Sequence, residues 1–248
     1  TKEITNAEGY VDFENVSFSY VPEKPLYENF NLKVEPGQLV AIVGPTGAGK
    51  TTLVNLLMRF YDVTGGSIKV DGVDIRDISR KNLRNIFGMV LQDTWLFKGS
   101  VRDNIIYGKD NVSEEEFQKA IHAAKVDHFI DTLPEGVDTV LDEDGSNLSA
   151  GQKQLLTIAR AIISDPSIII LDEATSSVDT RTEIQIQSAM NNLMKGRTNF
   201  VIAHRLSTIK NADEICVMHE GKIVERGRHE ELLALGGYYK KLNDMQAL

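Results

Sequence analysis

The strongest constraint on the fold is a glycine-rich loop set between an apolar run and a helical pattern. The run LVAIV, Leu39–Val43, is short and apolar and ends at Gly44, as expected of a buried strand. The loop GPTGAGKT follows, and TTLVNLLMRF then shows helical spacing. A strand followed by such a loop and then by a helix is typical of an α/β unit with a parallel sheet.

Predicted strands and helices alternate along most of the remaining chain. VDFENVSFSY predicts a strand with a phase slip at Glu14-Asn15, where a bulge or turn is expected. DISRKNLRNIF predicts a short helix followed by strand GMVL, and TRTEIQIQSAMNNLMK predicts a helix between the buried strands SIIIL and NFVIA. CVMHEGKIVERG predicts a hairpin that turns at Glu220-Gly221. We therefore predict an α/β fold with a mainly parallel core sheet.

A middle stretch departs from this alternation. From about residue 93 to residue 164 the strand signal fades and helical periodicity dominates. SEEEFQKAIHAAK has Ser113 as an N-cap, and SAGQ has the form of a capping box from Ser149 to Gln152. We predict a single domain over 1–248: a core of 1–92 and 165–248, an antiparallel β element around 11–35, and an inserted α-helical subdomain at about 93–164.

Composition narrows the possible functions. Apolar residues make up 42% and charged residues 25% of the 248 residues, as in soluble globular proteins. The net charge of -9 argues against a nucleic-acid-binding surface. Since no run approaches the roughly 18–20 apolar residues that span a bilayer, a membrane role would come through a partner or a segment outside this sequence. Cys216 is the only cysteine, which excludes an internal disulfide and predicts a buried thiol in a reducing compartment.

The loop matches the phosphate-binding pattern G-x-x-x-x-G-K-[ST]. Its glycines let backbone N–H groups close on phosphates, and the helix N-terminus that follows favours negative charge. Lys50 would reach the β- and γ-phosphates, and the Thr51 hydroxyl would ligate Mg²⁺. The nucleotide-binding residues predicted for this segment are Gly44, Pro45, Thr46, Gly47, Ala48, Gly49, Lys50, Thr51 and Thr52.

A second chemical feature is the pair of acids that ends the apolar strand in SIIILDEATSSVD. Buried carboxylates are costly unless they are paired or bound to metal. Asp172 can serve the Mg²⁺ coordination sphere, and Glu173 can orient or deprotonate an attacking water. An isolated Asp-Glu pair more often caps a helix, but together with the phosphate loop it predicts an ATP site.

On these motifs the chain resembles the ATP-binding cassette family over nearly its whole length. LSAGQ is similar to the family signature L-S-G-G-Q, and the order of the motifs also matches. The resemblance implies that two such domains pair head to tail, with each ATP between one phosphate loop and the other chain's signature. Ser149, Gly151 and Gln152 would then contact the nucleotide held at the partner's Lys50.

Four further positions take roles from the resemblance alone. Tyr20 matches the aromatic residue that stacks on adenine, although by itself it would be a packing tyrosine. Gln92 matches the glutamine near Mg²⁺ and the attacking water. His204 matches the histidine that contacts the γ-phosphate, a position otherwise read as structural. Asp179 matches a loop that crosses between the paired sites, and a helix N-cap is an equally good and compatible interpretation.

Two segments resemble the exporters of the family. They are GSVRDNIIYG and the acidic stretch of TVLDEDGSNLSAGQ, and they imply an exporter of peptides, lipids or drugs rather than an importer. Asp142 and Ala150 replace the glycines usual at their positions. Because alanine resists a positive φ, we predict a negative φ at Ala150.

The resemblance thus implies an ATP hydrolase that drives export at the cytoplasmic face of the cell membrane. Its cofactors would be ATP and Mg²⁺, with Lys50, Gln92, Glu173 and His204 in catalysis and Thr51, Gln92 and Asp172 near the metal. Its partners would be a second cassette, identical or paralogous, and membrane-spanning domains, but no nucleic acid. Two alternatives stay open: a soluble cassette ATPase acting on DNA or the ribosome, and a regulatory cassette that binds nucleotide with little hydrolysis.

Overall fold

The computed structural model describes residues 2–45, 49–91, 95–173 and 179–246, except for the side chains of Asp144 and Gln246. The chain divides into two compact units. The first comprises Thr1–Phe87, Ser167–Glu173 and Gly196–Leu248, and the second comprises Gly88–Pro166 and Ala174–Lys195.

The first unit contains two sheets and several helices. Its strands are β1 (Val11–Phe18), β2 (Tyr27–Val34), β3 (Leu39–Val43), β4 (Gly65–Val70), β5 (Val73–Asp74), β9 (Ile168–Asp172), β10 (Thr198–Ile202), β11 (Glu214–His219) and β12 (Lys222–Gly227). Its helices are α1 (Lys50–Leu57), α2 (Arg80–Ile86), α8 (Leu206–Lys210), α9 (His229–Leu235) and α10 (Tyr238–Gln246).

The larger sheet is mainly parallel, as predicted. Within the first unit its strands follow the order β12-β11-β3-β10-β9. Strand β3 pairs in parallel with β10 and β11, and β10 pairs in parallel with β9. Residues 40–43 of β3 are no more than 3% exposed, which explains why this strand reads as an uninterrupted apolar run.

The smaller sheet is antiparallel in the order β2-β1-β4-β5. The pairing of β1 with β2 shifts register between Phe13 and Val16, and Asn15 has a left-handed φ of 49°. The phase slip predicted at Glu14-Asn15 is therefore a β-bulge, and asparagine tolerates its geometry better than most residues.

The predicted hairpin and the predicted buried thiol are also present. Strands β11 and β12 pair in antiparallel fashion, and Glu220 and Gly221 have φ of 49° and 78° between them. Positive φ at both turn residues matches the right-handed twist of the two strands. Cys216 is buried in β11, and its burial raises the pKa of the thiol to about 12.

The second unit is mostly helical. It contains α3 (Val101–Ile106), α4 (Glu114–Ala123), α5 (Asp127–Asp131), α6 (Ala150–Ser164) and α7 (Thr180–Met194), with the short strands β7 (Gly99–Ser100) and β8 (Val140–Leu141). Strand β6 (Phe87–Val90) starts on the unit boundary. Ala150 is the first residue of α6 and is not among the residues with positive φ, as predicted.

Three local details of the structure differ from the sequence predictions. Helix α1 ends at Leu57 instead of continuing to residue 60, because Arg59 adopts a left-handed φ of 56°. Strand β1 ends at Phe18, so Tyr20 follows the strand rather than closing it. The antiparallel pair β7–β8 lies in the stretch where we expected only helices.

The second unit begins at Gly88 and takes in α7, which the sequence prediction assigned to the core. These bounds differ from those of the predicted helical subdomain, and the subdomain at about 93–164 stays a prediction. Among the described helices, none combines the length and the apolar character needed to cross a bilayer.

Candidate functional site

The predicted phosphate loop and the predicted acids meet at one edge of the parallel sheet. Strand β3 leads into Gly44, β9 ends at Asp172 and is followed by Glu173, and β10 leads through Ala203 to His204. Because parallel strands end on the same edge, and β10 lies between β3 and β9, the ends of these three strands lie side by side.

The start of α1 is suited to an anion. Gly49 is the N-cap with φ of 89° and gives no side-chain cap, so the helix N-terminus offers backbone N–H groups. A Cβ on Gly49 would lie 3.1 Å from the Cα of Gly221, so the space is shaped for glycine. Lys50 Nζ donates a hydrogen bond to the carbonyl oxygen of Gly44 at 2.9 Å. Thr46, Gly47 and Ala48 lie outside the described residues.

Lys50 and Asp172 interact electrostatically. Burial lowers the pKa of the Lys50 ammonium, and the negative charge of Asp172 opposes that shift. His204 Nε2 lies 3.7 Å from Asp172 Oδ1, with both side chains largely buried. Asp172, at the end of β9, therefore lies within electrostatic range of both Lys50 and His204.

Glu173 is more buried than Asp172 and is only 2% exposed. Its Oε1 accepts hydrogen bonds from the backbone N–H groups of His204 at 3.0 Å and Arg205 at 3.2 Å. Its Oε2 accepts a hydrogen bond from the Thr208 hydroxyl at 2.7 Å. These donors satisfy the buried carboxylate, which would otherwise be costly to remove from water.

Tyr20 lies beside the phosphate-loop helix. Its hydroxyl donates to Thr52 Oγ1 at 3.3 Å and accepts from Asn55 Nδ2 at 2.8 Å. The Phe18 and Tyr61 rings pack edge to face against it, with centroids at 4.8 and 4.9 Å. The side chain is still 44% exposed, so the ring keeps area for a planar ligand.

Residues predicted from the signature lie in the second unit. The Ser149 Oγ accepts from the Gln152 N–H at 3.2 Å, and Gln152 Oε1 accepts from the Ser149 N–H at 3.0 Å. This is the predicted capping box of α6, with Gly151 buried behind it. Asp179 is the N-cap of α7, and the hydrogen bonds from Thr182 lower the pKa of its carboxyl. Gln92 lies outside the described residues.

The oxygen ligands predicted for Mg²⁺ are Thr51, in the first turn of α1, and Asp172, at the end of β9. Among the described residues, no group of three or more His, Cys, Asp or Glu side chains could hold a metal ion. Mg²⁺ usually takes one or two protein oxygens and completes its shell with phosphates and water. Thr51 and Asp172 are ligands of that kind.

Sequence reasoning missed three residues that the structure brings to this site. Asn55 and Tyr61 contact the hydroxyl and ring of Tyr20, and Thr208 contacts Glu173. The residues of each contact are far apart in the sequence, 35 residues in two of the three cases. The signal that could have found Thr208 is a hydroxyl residue within the short helix that follows His204.

This chain is similar to known proteins in its sequence and in its structure. A family model described as "ABC transporter" matches residues 27–176. A fatty acid ABC transporter ATP-binding/permease protein of Mycobacterium bovis is 56% identical over 97% of this chain. An ATP-dependent lipid A-core flippase of Desulfotalea psychrophila is 56% identical over 95% of it.

A solved structure is similar over the full chain. It is a bacterial Atm1-family ABC exporter with ATP bound, with a TM-score of 0.86 and 41% sequence identity. The chain covers 44% of that protein, and 38% and 41% of the Mycobacterium bovis and Desulfotalea psychrophila relatives. It therefore spans about two fifths of the length of these three proteins.

Proposed function

We infer the function from a family assignment: this chain belongs to the ABC transporter family. We propose that it binds ATP with Mg²⁺ and hydrolyses it, and that hydrolysis drives export through membrane-spanning domains outside this sequence. The observation that carries this proposal is the meeting of Lys50, Asp172, Glu173 and His204 at adjacent strand ends.

We propose a role for each of these residues and for Thr51. Lys50, at the open N-terminus of α1, neutralises the β- and γ-phosphates. Thr51 and Asp172 hold Mg²⁺, which when bound neutralises the charge that develops on the phosphates during transfer. Glu173 orients or deprotonates the attacking water, and His204 contacts the γ-phosphate. Phosphoryl transfer depends mainly on such positioning and charge neutralisation.

The nucleotide also needs groups from beyond these strand ends. Tyr20 stacks on adenine through its exposed ring area, and Gln92 approaches Mg²⁺ and the attacking water. In a head-to-tail pair, Ser149, Gly151 and Gln152 contact the nucleotide bound at the partner's Lys50. The N-terminus of α6 suits this role, because helix N-termini favour anions.

The exporter assignment is supported by the similar proteins. Their names describe a permease fused to an ATP-binding part, a flippase and an exporter. We therefore propose that this chain acts at the cytoplasmic face of the membrane, together with membrane-spanning domains and a second cassette.

The test is phosphate release by the purified chain at high concentration with Mg²⁺ and ATP. We expect steady release from the unsubstituted chain and a fall of about 10²–10³-fold for Lys50→Ala, which removes one phosphate clamp. Lys81→Ala, a change at an exposed lysine of α2, is the matched control and should behave as the unsubstituted chain.

Equal phosphate release by the unsubstituted chain and Lys50→Ala would contradict the proposal and point to a contaminating ATPase. Tight ATP binding without phosphate release would favour the regulatory cassette. Salt-sensitive binding to nucleic acid would favour the soluble cassette ATPase.

A further inference from the structure

The hydrogen bonds of Glu173 raise a question about how the proposed base reaches a water molecule. A carboxylate oxygen has two lone pairs, and those of Oε1 are both taken by the N–H groups of His204 and Arg205. Oε2 also has two lone pairs, and the Thr208 hydroxyl takes one of them at 2.7 Å. Because Glu173 is 2% exposed, this oxygen is shielded from solvent.

All three donors come from one short segment. His204 and Arg205 precede α8, and Thr208 is a buried residue within it. The same segment carries the imidazole proposed to contact the γ-phosphate. A shift of this segment toward a bound phosphate would therefore change the position of every donor that holds Glu173.

A small cavity lies next to this segment. It has a volume of about 70 Å³ and is lined by residues of α10 together with Val43, Gly44, Ala203, His204, Leu206 and Ile209. Space of this size next to a segment lowers the cost of moving it, since a close-packed interior resists displacement.

We propose that Thr208 is a positioning residue that holds Glu173 in a resting arrangement, and that hydrolysis requires Glu173 Oε2 to leave the Thr208 hydroxyl. This inference rests on the proposed function, because it concerns the regulation of the same site. The opposite role, in which Thr208 holds Glu173 in its working position, predicts the opposite kinetic effect.

The test replaces the hydroxyl and measures the chemical step. Thr208→Val is nearly isosteric and sets a methyl group against Oε2, which destabilises the resting arrangement. We expect single-turnover hydrolysis at saturating Mg²⁺ and ATP to become about tenfold faster, the size expected for one hydrogen bond to a charged group. The ATP concentration at half-saturation should stay unchanged.

Two controls separate this role from a structural one. Thr208→Ser keeps the hydroxyl and should return the rate to that of the unsubstituted chain. Ser207→Ala alters the exposed neighbour on the same helix and should have no effect. An unchanged or slower chemical step in Thr208→Val would overturn the inference, whereas loss of hydrolysis in the unsubstituted chain would instead contradict the proposed function.

A second measurement does not depend on the folding of a variant. A crystal structure of the unsubstituted chain with Mg²⁺ and a non-hydrolysable ATP analogue gives the separation of Glu173 Oε2 and Thr208 Oγ1. A separation beyond about 3.5 Å, too long for a hydrogen bond, supports the inference. Retention of the short contact in the nucleotide-bound pair overturns it.

Discussion

At the scale of single residues, Glu173 and Asp172 show how neighbouring acids acquire different environments. Asp172 is the last residue of β9 and Glu173 follows it, and the two carboxylates have different partners. Asp172 faces Lys50 and His204, while Glu173 accepts three hydrogen bonds from the segment after β10. This difference supports the proposal that Asp172 holds Mg²⁺ and that Glu173 acts on the attacking water.

Glu173→Gln tests the proposal that Glu173 deprotonates the attacking water. The amide oxygen can accept the two N–H groups and the amide nitrogen can donate to Thr208, so the fold should persist. Because the amide is not a base, we expect turnover to fall by roughly 10²–10⁴-fold while ATP binding is kept. Phosphate release, together with size-exclusion chromatography in ATP, should reveal an inactive nucleotide-bound pair. Undiminished hydrolysis would remove Glu173 from the role of base.

At the scale of secondary-structure elements, the sequence predicts well what depends on neighbouring residues. The strand before the phosphate loop, the bulge at Asn15, the hairpin turn at Glu220-Gly221 and the capping box of α6 all follow local patterns, and all are present. Each is decided by side-chain periodicity or by backbone requirements within a few residues.

The contacts that complete the site could not be predicted in this way. Thr208 meets Glu173 only because β10 pairs with β9 in parallel, and this brings residues 35 positions apart together. Asn55 meets Tyr20 because α1 packs beside the segment after β1, again across 35 positions. Such contacts depend on the register of a sheet or the packing of a helix, which a single sequence does not specify.

The N-terminus of α6 gives a prediction at this scale. Ser149 has a structural role as the N-cap and a proposed role toward the partner's phosphate. Ser149→Asp keeps the cap, since aspartate is a good N-cap, but adds a negative charge where the phosphate would bind. We expect the thermal midpoint to be nearly unchanged and ATP hydrolysis to fall strongly. Ser149→Ala should lose about 1 kcal/mol of unfolding free energy.

Ser113 supplies the matched control, because it caps α4 through the Glu116 N–H at 3.1 Å and has no proposed contact with nucleotide. Ser113→Asp should therefore leave hydrolysis unchanged. Ser113→Ala should lower the unfolding free energy by about as much as Ser149→Ala. If Ser149→Asp hydrolysed ATP as fast as Ser113→Asp, the signature helix would have no role at the phosphate.

At the scale of the whole molecule, the residues proposed for one ATP belong to different units. The phosphate loop, Asp172 and Glu173 are in the first unit, and Ser149 is in the second. In the proposed head-to-tail pair, each site combines the phosphate loop, Asp172 and Glu173 of one chain with Ser149 of the other. Hydrolysis should then require two chains, and the rate per chain should rise with chain concentration.

Mixing two inactive variants tests this arrangement directly. Lys50→Ala damages the first-unit half of a site, and Ser149→Asp damages the second-unit half. In a mixed pair both lesions fall in one site, and the other site is intact. An equimolar mixture should therefore recover up to about a quarter of the unsubstituted activity, since half of the pairs are mixed and each has one working site. A mixture that stays as inactive as its components, under conditions where the two variants are seen to pair, would contradict sites shared between chains.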